Sequence, residues 1–151
     1  MELPILGQEK GSENLILGID LGTTHSLVAV YQHGESRVLC DEKGSPLIPS
    51  VVSFPKGSLP IAGEVAKARA ELDPNRTIHS VKRLIGRSMS DIGSEADTLS
   101  YKIVPAENRE STIIDLGEKT ITPEEVSSHI LRECRRRAVD QLKIEAAELT
   151  K

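Results

Sequence analysis

Aromatic residues are scarce in this sequence, and their scarcity decides what kind of core it can build. They make up 2% of the chain, with no tryptophan and with Phe54 as the single phenylalanine. The core must therefore consist of aliphatic side chains. The chain has 151 residues, of which 38% are hydrophobic and 28% charged, so its composition is globular rather than disordered. This length suffices for one average domain, which buries about 70% of its unfolded surface.

Three further features are missing, and each excludes a class of protein. The net charge is −4, so no basic excess favours nucleic acid as a main partner. The sequence has no run of about 18 apolar residues and no basic N-terminal region followed by an apolar one, so we expect neither a membrane span nor a secretory signal. Cys40 and Cys134 lie far apart and form no Cys-x-x-Cys or Cys/His pattern. This usage predicts two reduced, partly buried thiols in a cytoplasmic protein.

The most informative stretch is a predicted hairpin over residues 15–31. Both arms are apolar and rich in β-branched residues, which favours two buried strands. The turn carries Asp20 at the end of the first arm, followed by Gly22, Thr23 and Thr24. A glycine lets the backbone approach a ligand, and successive N–H groups in such a turn bind anions. Threonine hydroxyls add donors for phosphate oxygens, and Asp20 can hold a hydrated Mg²⁺ that bridges to a phosphate.

From the residues alone, two interpretations of this turn stay open. In the first, the turn binds a phosphate group. In the second, it is a solvated hairpin loop in which Asp20 and the threonines satisfy only local backbone groups. Residues 80–87 pose the same choice. A lysine such as Lys82, beside a phosphate loop, can place an ammonium charge on a phosphoryl group, but a Lys-Arg pair on a helix is more often surface charge.

Taken together, these two stretches resemble one protein family. Leu-Ile-Leu-Gly-Ile-Asp-Leu-Gly-Thr-Thr-His-Ser at the start of the hairpin resembles the first phosphate loop of the actin, sugar-kinase and heat-shock chaperone superfamily. With Ser-Val-Lys-Arg-Leu-Ile-Gly-Arg at 80–87, the sequence is most similar to the 70-kDa heat-shock chaperones. The resemblance implies that Lys82 is catalytic, because in that family this lysine orients the attacking water and stabilises the γ-phosphate in the transition state.

The same resemblance implies the roles of the other site residues. Asp20 corresponds to the family's Mg²⁺-shell carboxylate, which acts through water, and Gly22, Thr23 and Thr24 correspond to its phosphate contacts. His25 stands where relatives often have asparagine or tyrosine. Its backbone N–H can still contribute to nucleotide binding, and we assign it no acid or base role. The implied cofactors are ATP or ADP with Mg²⁺.

The resemblance runs from residue 16 to residue 151 and implies an α/β fold of the ribonuclease-H-like type shared by actin and heat-shock ATPases. It implies a partial first lobe with an inserted α+β subdomain. We expect four parts: a flexible leader at 1–14, the first part of the lobe core with its three-stranded meander at 15–49, the inserted subdomain at 50–121, and the first helix of the core at 122–151, with the chain truncated after it.

Local patterns predict further elements. The alanine-rich residues 62–72 predict a helix whose apolar face includes Val65 and Leu72. Residues 75–78 are predicted as a connector, and Ser80 is predicted to cap the short helix that follows.

The sequence Ile-Asp-Leu-Gly recurs at 114–117, but Glu118 follows it in place of further glycines and a threonine. Because a glutamate repels phosphate, we predict a structural hairpin there rather than a second phosphate loop.

The clearest predicted helix follows the capping box that begins at Thr122 and ends at Glu125. Its apolar face is predicted to consist of Val126, Ile130, Leu131, Cys134, Ala138 and Leu142. For the arginine run at 135–137 we favour a solvated helix face over a docking patch.

The resemblance implies that the parent protein is an ATP-dependent molecular chaperone whose ATP binding and hydrolysis control a separate peptide-binding domain. Client polypeptides and a co-chaperone would bind through regions absent from this chain, and the second phosphate loop is absent as well. We therefore expect the fragment alone to be inactive.

The sequence of residues 80–92, together with the long leader, favours the family branch specialised for iron–sulfur cluster assembly. A general protein-folding chaperone of the stress response is the alternative. Three different classes of protein stay open beside the chaperones: a fragment of a sugar or acetate kinase, an actin-like ATPase, and a non-enzymatic binding module. Residues 15–19 are further predicted to form an apolar unpaired edge through which the chain self-associates.

Overall fold

The computed structural model describes residues 15–107 and 110–143, which form a mixed α/β fold with three antiparallel sheets. The predicted leader at 1–14 lies outside the described residues, and so do residues 144–151 at the end of the chain. Within the described part, no helix is long and apolar enough to cross a membrane.

The first sheet contains the predicted hairpin. Strand β1 (Ile16–Asp20) pairs antiparallel with β2 (His25–Gln32), and β2 also pairs with β3 (Glu35–Val38) and, at its beginning, with β4 (Ile48–Pro49). Alternate residues of β2 are buried, as the two-residue period of a half-buried strand requires. These residues are Ser26, Val28 and Val30. The three strands predicted for this segment are therefore confirmed.

The second sheet consists of three short strands in the order β6–β5–β7. They are β5 (Val51–Ser53), β6 (Ile61–Ala62) and β7 (Thr77–His79). The prediction of a connector at 75–78 is wrong, because pairing with β5 turns its second half into a strand. Val52 lies opposite Ile78, and both side chains are fully buried.

Helix α1 (Glu64–Arg69) is shorter than the helix predicted at 62–72. The chain enters it through Gly63, whose φ of 78° lies in the region that favours glycine. The predicted apolar face is wrong at Val65 and Leu72, which are 61% and 83% exposed. Six residues form fewer than two turns, and Ala66 is the buried residue of this helix.

The third sheet is an antiparallel meander of β8 (Lys102–Pro105), β9 (Thr112–Asp115) and β10 (Thr120–Ile121). Residues 114–117 lie at the end of β9 and in the turn to β10, so the prediction of a structural hairpin there is confirmed.

The 3₁₀ helix Pro74–Arg76 precedes β7 of the second sheet. The connection from β7 to the third sheet contains the 3₁₀ helix Val81–Arg83, then α2 (Met89–Ile92), then the 3₁₀ helix Gly93–Thr98. The predicted cap at Ser80 is wrong, because this residue adopts the left-handed φ of 56° and its side chain makes no capping hydrogen bond. The capping serine is Ser88, which precedes α2: its hydroxyl accepts a hydrogen bond from the Asp91 N–H, and the Asp91 carboxylate accepts one from the Ser88 N–H at 2.9 Å.

Helix α3 (Pro123–Leu142) begins at the predicted capping box. The Thr122 hydroxyl accepts a hydrogen bond from the Glu125 N–H at 3.1 Å, and the Glu125 carboxylate accepts one from the Thr122 N–H at 2.7 Å. Most of the predicted apolar face faces the core. Its fully buried residues are Val126, Ile130, Cys134 and Ala138. Leu131 is the exception, at 39% exposed.

The prediction of a solvated face at 135–137 is wrong for Arg137, which is only 7% exposed. Its guanidinium donates hydrogen bonds to backbone carbonyls of the segment that precedes β4. The exposed neighbour Arg136 behaves as predicted and pairs with Glu133 and Asp140 on its own helix.

Helix α3 closes two hydrophobic clusters at once. Its first half contributes Val126 and Ile130 to a cluster with side chains of the second and third sheets. Its second half contributes Cys134 and Ala138 to a cluster with side chains of the first sheet and with Leu39, which follows β3. The other buried members of this second cluster are Val28, Val30, Leu39 and Ile48. One helix therefore holds both parts of the fold together.

Both cysteines are free, as predicted. Cys134 is buried in the second cluster, and this burial raises the pKa of its thiol to about 11. Cys40 is partly buried.

Candidate phosphate-binding site

The predicted phosphate loop occupies residues 20–25, between the end of β1 and the beginning of β2. Asp20 is the last residue of β1 and pairs with Leu27 across the hairpin. The side chains of Asp20, Thr24 and His25 are exposed, and Thr23 is half-buried. The strand pairing thus presents one carboxylate and two hydroxyls close together on the surface.

The turn is tight, and Gly22 makes it possible. A Cβ atom at this position would lie 2.0 Å from the backbone carbonyl oxygen of His25, far inside the distance that real side chains tolerate. A glycine is therefore required by the turn itself, in addition to any ligand that approaches it. The backbone folds back on itself here, and this brings successive peptide groups of residues 22–25 close together.

Buried contacts support the loop at its C-terminal end, at Thr24 and Ser26. The Ser50 N–H donates a hydrogen bond to the Thr24 carbonyl at 2.9 Å, and the hydroxyls of Ser26 and Ser50 lie 2.9 Å apart in the interior. Between these contacts, β4 pairs with the beginning of β2, with Pro49 opposite His25. The loop is thus attached to the chain that follows the first sheet.

Lys82 contacts the loop near its N-terminal end, at Leu21. It lies on the 3₁₀ helix Val81–Arg83, and its ammonium group donates a hydrogen bond of 2.8 Å to the carbonyl oxygen of Leu21, 61 positions earlier in the sequence. Burial of Val81 and Leu84 on either side fixes the helix to the core, while Lys82 itself is exposed. The fold therefore places the predicted catalytic lysine at the predicted phosphate loop.

The chemistry of this donor set fits a magnesium–phosphate ligand. A Mg²⁺ ion in a phosphate-transfer site keeps several waters and needs only one or two carboxylates besides the phosphate oxygens. Asp20 supplies one carboxylate, Lys82 a positive charge, and the loop its N–H groups and threonine hydroxyls. Among the described residues, no group of three or more His, Cys, Asp or Glu side chains could hold a metal ion without phosphate.

A cleft of about 560 Å³ lies elsewhere, between the 3₁₀ helix Pro74–Arg76 and the third sheet. Three of its charged side chains, Arg76, Lys102 and Asp115, are already in ion pairs within the protein. The buried Arg76 guanidinium contacts Glu118 at 2.6 Å, and Lys102 contacts Asp115 at 2.7 Å. Hydrogen bonding from Arg76 lowers the pKa of the Glu118 carboxyl to about 2. Structural ion pairs therefore occupy part of the cleft's lining, and the open surface at residues 20–25, where Lys82 meets the loop, is the better candidate.

Comparison with models of protein families matches residues 16–150 to the family described as Hsp70 protein. The chain belongs to the Hsp70 family. It corresponds to the N-terminal ATPase part of that family, whose members are ATP-binding heat-shock chaperones, and the membership implies the ribonuclease-H-like fold of actin and related ATPases. In this family the nucleotide is bound with Mg²⁺. The match decides against a sugar kinase and against an actin-like ATPase.

The sequence did not reveal the contacts that support the loop from behind. The alternation of Ser26, Val28 and Val30 along β2 was a sufficient signal that Ser26 faces inward. Nothing local pointed to Ser50 as its partner, 24 positions away, because that contact depends on how β4 docks against β2.

Proposed function

We propose that residues 20–25 and Lys82 form one side of the ATP site in an ATP-dependent chaperone. The observation that carries this proposal is the 2.8 Å hydrogen bond between the Lys82 ammonium and the Leu21 carbonyl. It brings the lysine into contact with the loop, as phosphoryl transfer requires. ATP bound with Mg²⁺ would supply the phosphoryl group and a metal charge that offsets the negative charge of the phosphates.

In this proposal each residue acts through a group that the fold presents at the loop. The N–H groups of residues 22–25 and the hydroxyls of Thr23 and Thr24 donate to phosphate oxygens. Asp20 would hold a hydrated Mg²⁺ through water. Lys82 exchanges its hydrogen bond to the Leu21 carbonyl for one to the γ-phosphate and the attacking water, where its charge stabilises the negative charge of the transition state.

We further propose that the parent protein couples this site to a peptide-binding domain that binds client polypeptides, that a co-chaperone assists it, and that it works in the cytoplasm.

The sequence of residues 80–92 supports the iron–sulfur cluster assembly branch. Binding of the full-length protein to a cluster-assembly scaffold protein in preference to unfolded polypeptides supports that branch, and the reverse preference supports the general protein-folding branch.

The proposal is tested by Lys82→Ala in the full-length chaperone. We expect single-turnover ATP hydrolysis to fall by about 10²–10³-fold, as for loss of one transition-state donor, while the dissociation constant for ATP changes only a few-fold. Arg83→Ala is the matched control, because Arg83 is exposed on the same 3₁₀ helix and should leave the rate unchanged. An unchanged rate in Lys82→Ala refutes the catalytic role.

A further inference from the structure

Arg137 differs from the exposed arginines of α3, because its side chain is buried and binds a distant segment of backbone. Arg137 is buried, and its guanidinium donates to the carbonyls of Ser45 at 3.2 Å and Pro46 at 3.1 Å, with Leu47 at 3.5 Å. These carbonyls lie about 90 positions earlier in the sequence. Because a guanidinium is planar and carries several N–H donors in a fixed fork, one arginine can hold three consecutive carbonyls that a lysine could not.

The segment that Arg137 holds is poor in backbone donors of its own. Residues 45–50 read Ser-Pro-Leu-Ile-Pro-Ser, so two of six positions lack an N–H. The carbonyls at 45–47 therefore need donors from outside. The Ser45 carbonyl also accepts from the Asp41 N–H at 2.9 Å, which closes the preceding turn.

The same segment continues directly into the support of the phosphate loop. Three residues after the last of these carbonyls, Ser50 donates its N–H to Thr24 and places its hydroxyl against that of Ser26. Between them, Ile48 and Pro49 are buried and form β4. A displacement of residues 45–47 is therefore transmitted to Thr24 through a short, buried stretch that has little room to absorb it.

We propose that Arg137 is a positioning residue for the phosphate loop, which it orders from the end of α3 through residues 45–50. The loop then has two supports: Lys82 at Leu21 on one side, and Arg137, acting through Ser50, at Thr24 on the other. The inference rests on the proposed function only in calling residues 20–25 a phosphate loop.

Native-state hydrogen exchange on the 151-residue chain, followed by NMR, tests this role. The reporter is the Ser50 amide, because its hydrogen bond to Thr24 is the contact in question. The reference amides are those of Val104, which faces β9, and Ile114, which faces β10; both lie in the third sheet and report global unfolding. In Arg137→Met, which keeps the length of the stem, we expect Ser50 exchange to accelerate roughly tenfold more than exchange at the reference amides.

Arg136→Met is the matched control. Arg136 lies next to Arg137 on the same helix but is exposed, and it pairs with Glu133 and Asp140 of that helix, so the ratio of Ser50 to reference exchange should not change. If Arg137→Met does not fold, Arg137→Lys is the second variant. It keeps the charge but loses the planar fork, and it should shift the ratio in the same direction by a smaller factor.

A purely structural role gives a different result. If Arg137 only stabilises the whole fold, Ser50 and the reference amides accelerate by the same factor, and the proposal is overturned. An unchanged Ser50 amide overturns it as well. Since the experiment contains no nucleotide, its failure removes only the positioning role of Arg137. Failure of the Lys82→Ala test removes the proposed function and leaves the exchange result standing.

Discussion

At the scale of single residues, two glycines of the hairpin provide a direct test of how tight the phosphate loop is. A Cβ at Gly22 would lie 2.0 Å from a backbone oxygen, whereas a Cβ at Gly18 on β1 would meet no atom within 4 Å. We expect Gly22→Ala to lower the free energy of unfolding by about 1–3 kcal/mol, because the backbone must shift. Gly18→Ala should change it by less than about 0.5 kcal/mol. Urea denaturation compares the two variants, and equal effects would show that the loop is not tight.

The ion pair between Arg76 and Glu118 makes a prediction about acid stability. Hydrogen bonding from Arg76 lowers the pKa of the Glu118 carboxyl from 4.5 to about 2. A depressed pKa contributes stability above the unfolded-state pKa, and this contribution is lost as the pH falls toward the folded-state pKa. The window is therefore between pH 4.5 and about 2.

In Glu118→Gln, we expect the free energy of unfolding to fall less steeply with decreasing pH across this window than in the wild type. Chemical denaturation at a series of pH values measures the slope. Glu71→Gln, at an exposed glutamate after α1, controls for the loss of one carboxylate. Identical slopes for Glu118→Gln and the wild type would contradict the assigned pair.

At the scale of elements, the sequence predicted those whose signal is local. The sequence predicts the hairpin of β1 and β2 and the capping box at Thr122, because apolar strand patterns and helix caps depend on residues that are close together in the sequence. Strand β7 was missed, since it is a strand only through its pairing with β5. Arg137 was assigned to the surface for the same reason: the carbonyls that bury it come from a distant segment.

For the site as well, local features were predictable from the sequence, whereas contacts between distant segments were not. The composition of the loop and the string around Lys82 were visible in the sequence, and the resemblance joined them. Their contact through the Leu21 carbonyl depends on packing of the 3₁₀ helix against the core. The support from Ser50 depends on β4, a strand of two residues, which is too short to carry a periodic signal.

Strand β1 is predicted to mediate self-association. All five of its residues pair with β2, and in the described part of the chain no strand pairs with its other edge. Its residues before Asp20 carry no charge, whereas the opposite outer strand, β3, carries Glu35 and Arg37, which protect such an edge.

We expect the 151-residue chain to associate through β1, and Ile16→Lys to shift it toward the monomer. Ile16 is 55% exposed on β1, and a lysine on an edge strand opposes pairing with another chain. Val38→Lys on β3, where Val38 is 43% exposed, is the matched control and should leave association unchanged. Sedimentation velocity measures both variants. A strictly monomeric wild type would count against the prediction.

At the scale of the whole molecule, the described residues contain one candidate phosphate loop, at 20–25. The repeat of its sequence at 114–117 is a structural hairpin whose following glutamate binds Arg76, so it offers no second set of phosphate contacts. We therefore expect the 151-residue chain to bind ATP with Mg²⁺ more weakly than micromolar and to hydrolyse it at no useful rate. Calorimetric titration measures this, with the full-length chaperone as the positive control. Micromolar binding by the chain alone would refute it.

The shared helix α3 also sets the order in which this chain can fold as it is synthesised. The second cluster needs Val28, Val30 and Leu39 from the beginning of the chain and Ala138 from near its end. About 100 residues separate Leu39 from Ala138, and a ribosome adds roughly 5–20 residues per second. The apolar face of the first sheet therefore waits for roughly 5–20 s before the helix that covers it exists. During that interval the nascent chain exposes apolar surface of the kind that promotes aggregation, until a helix synthesised about 100 residues later covers it.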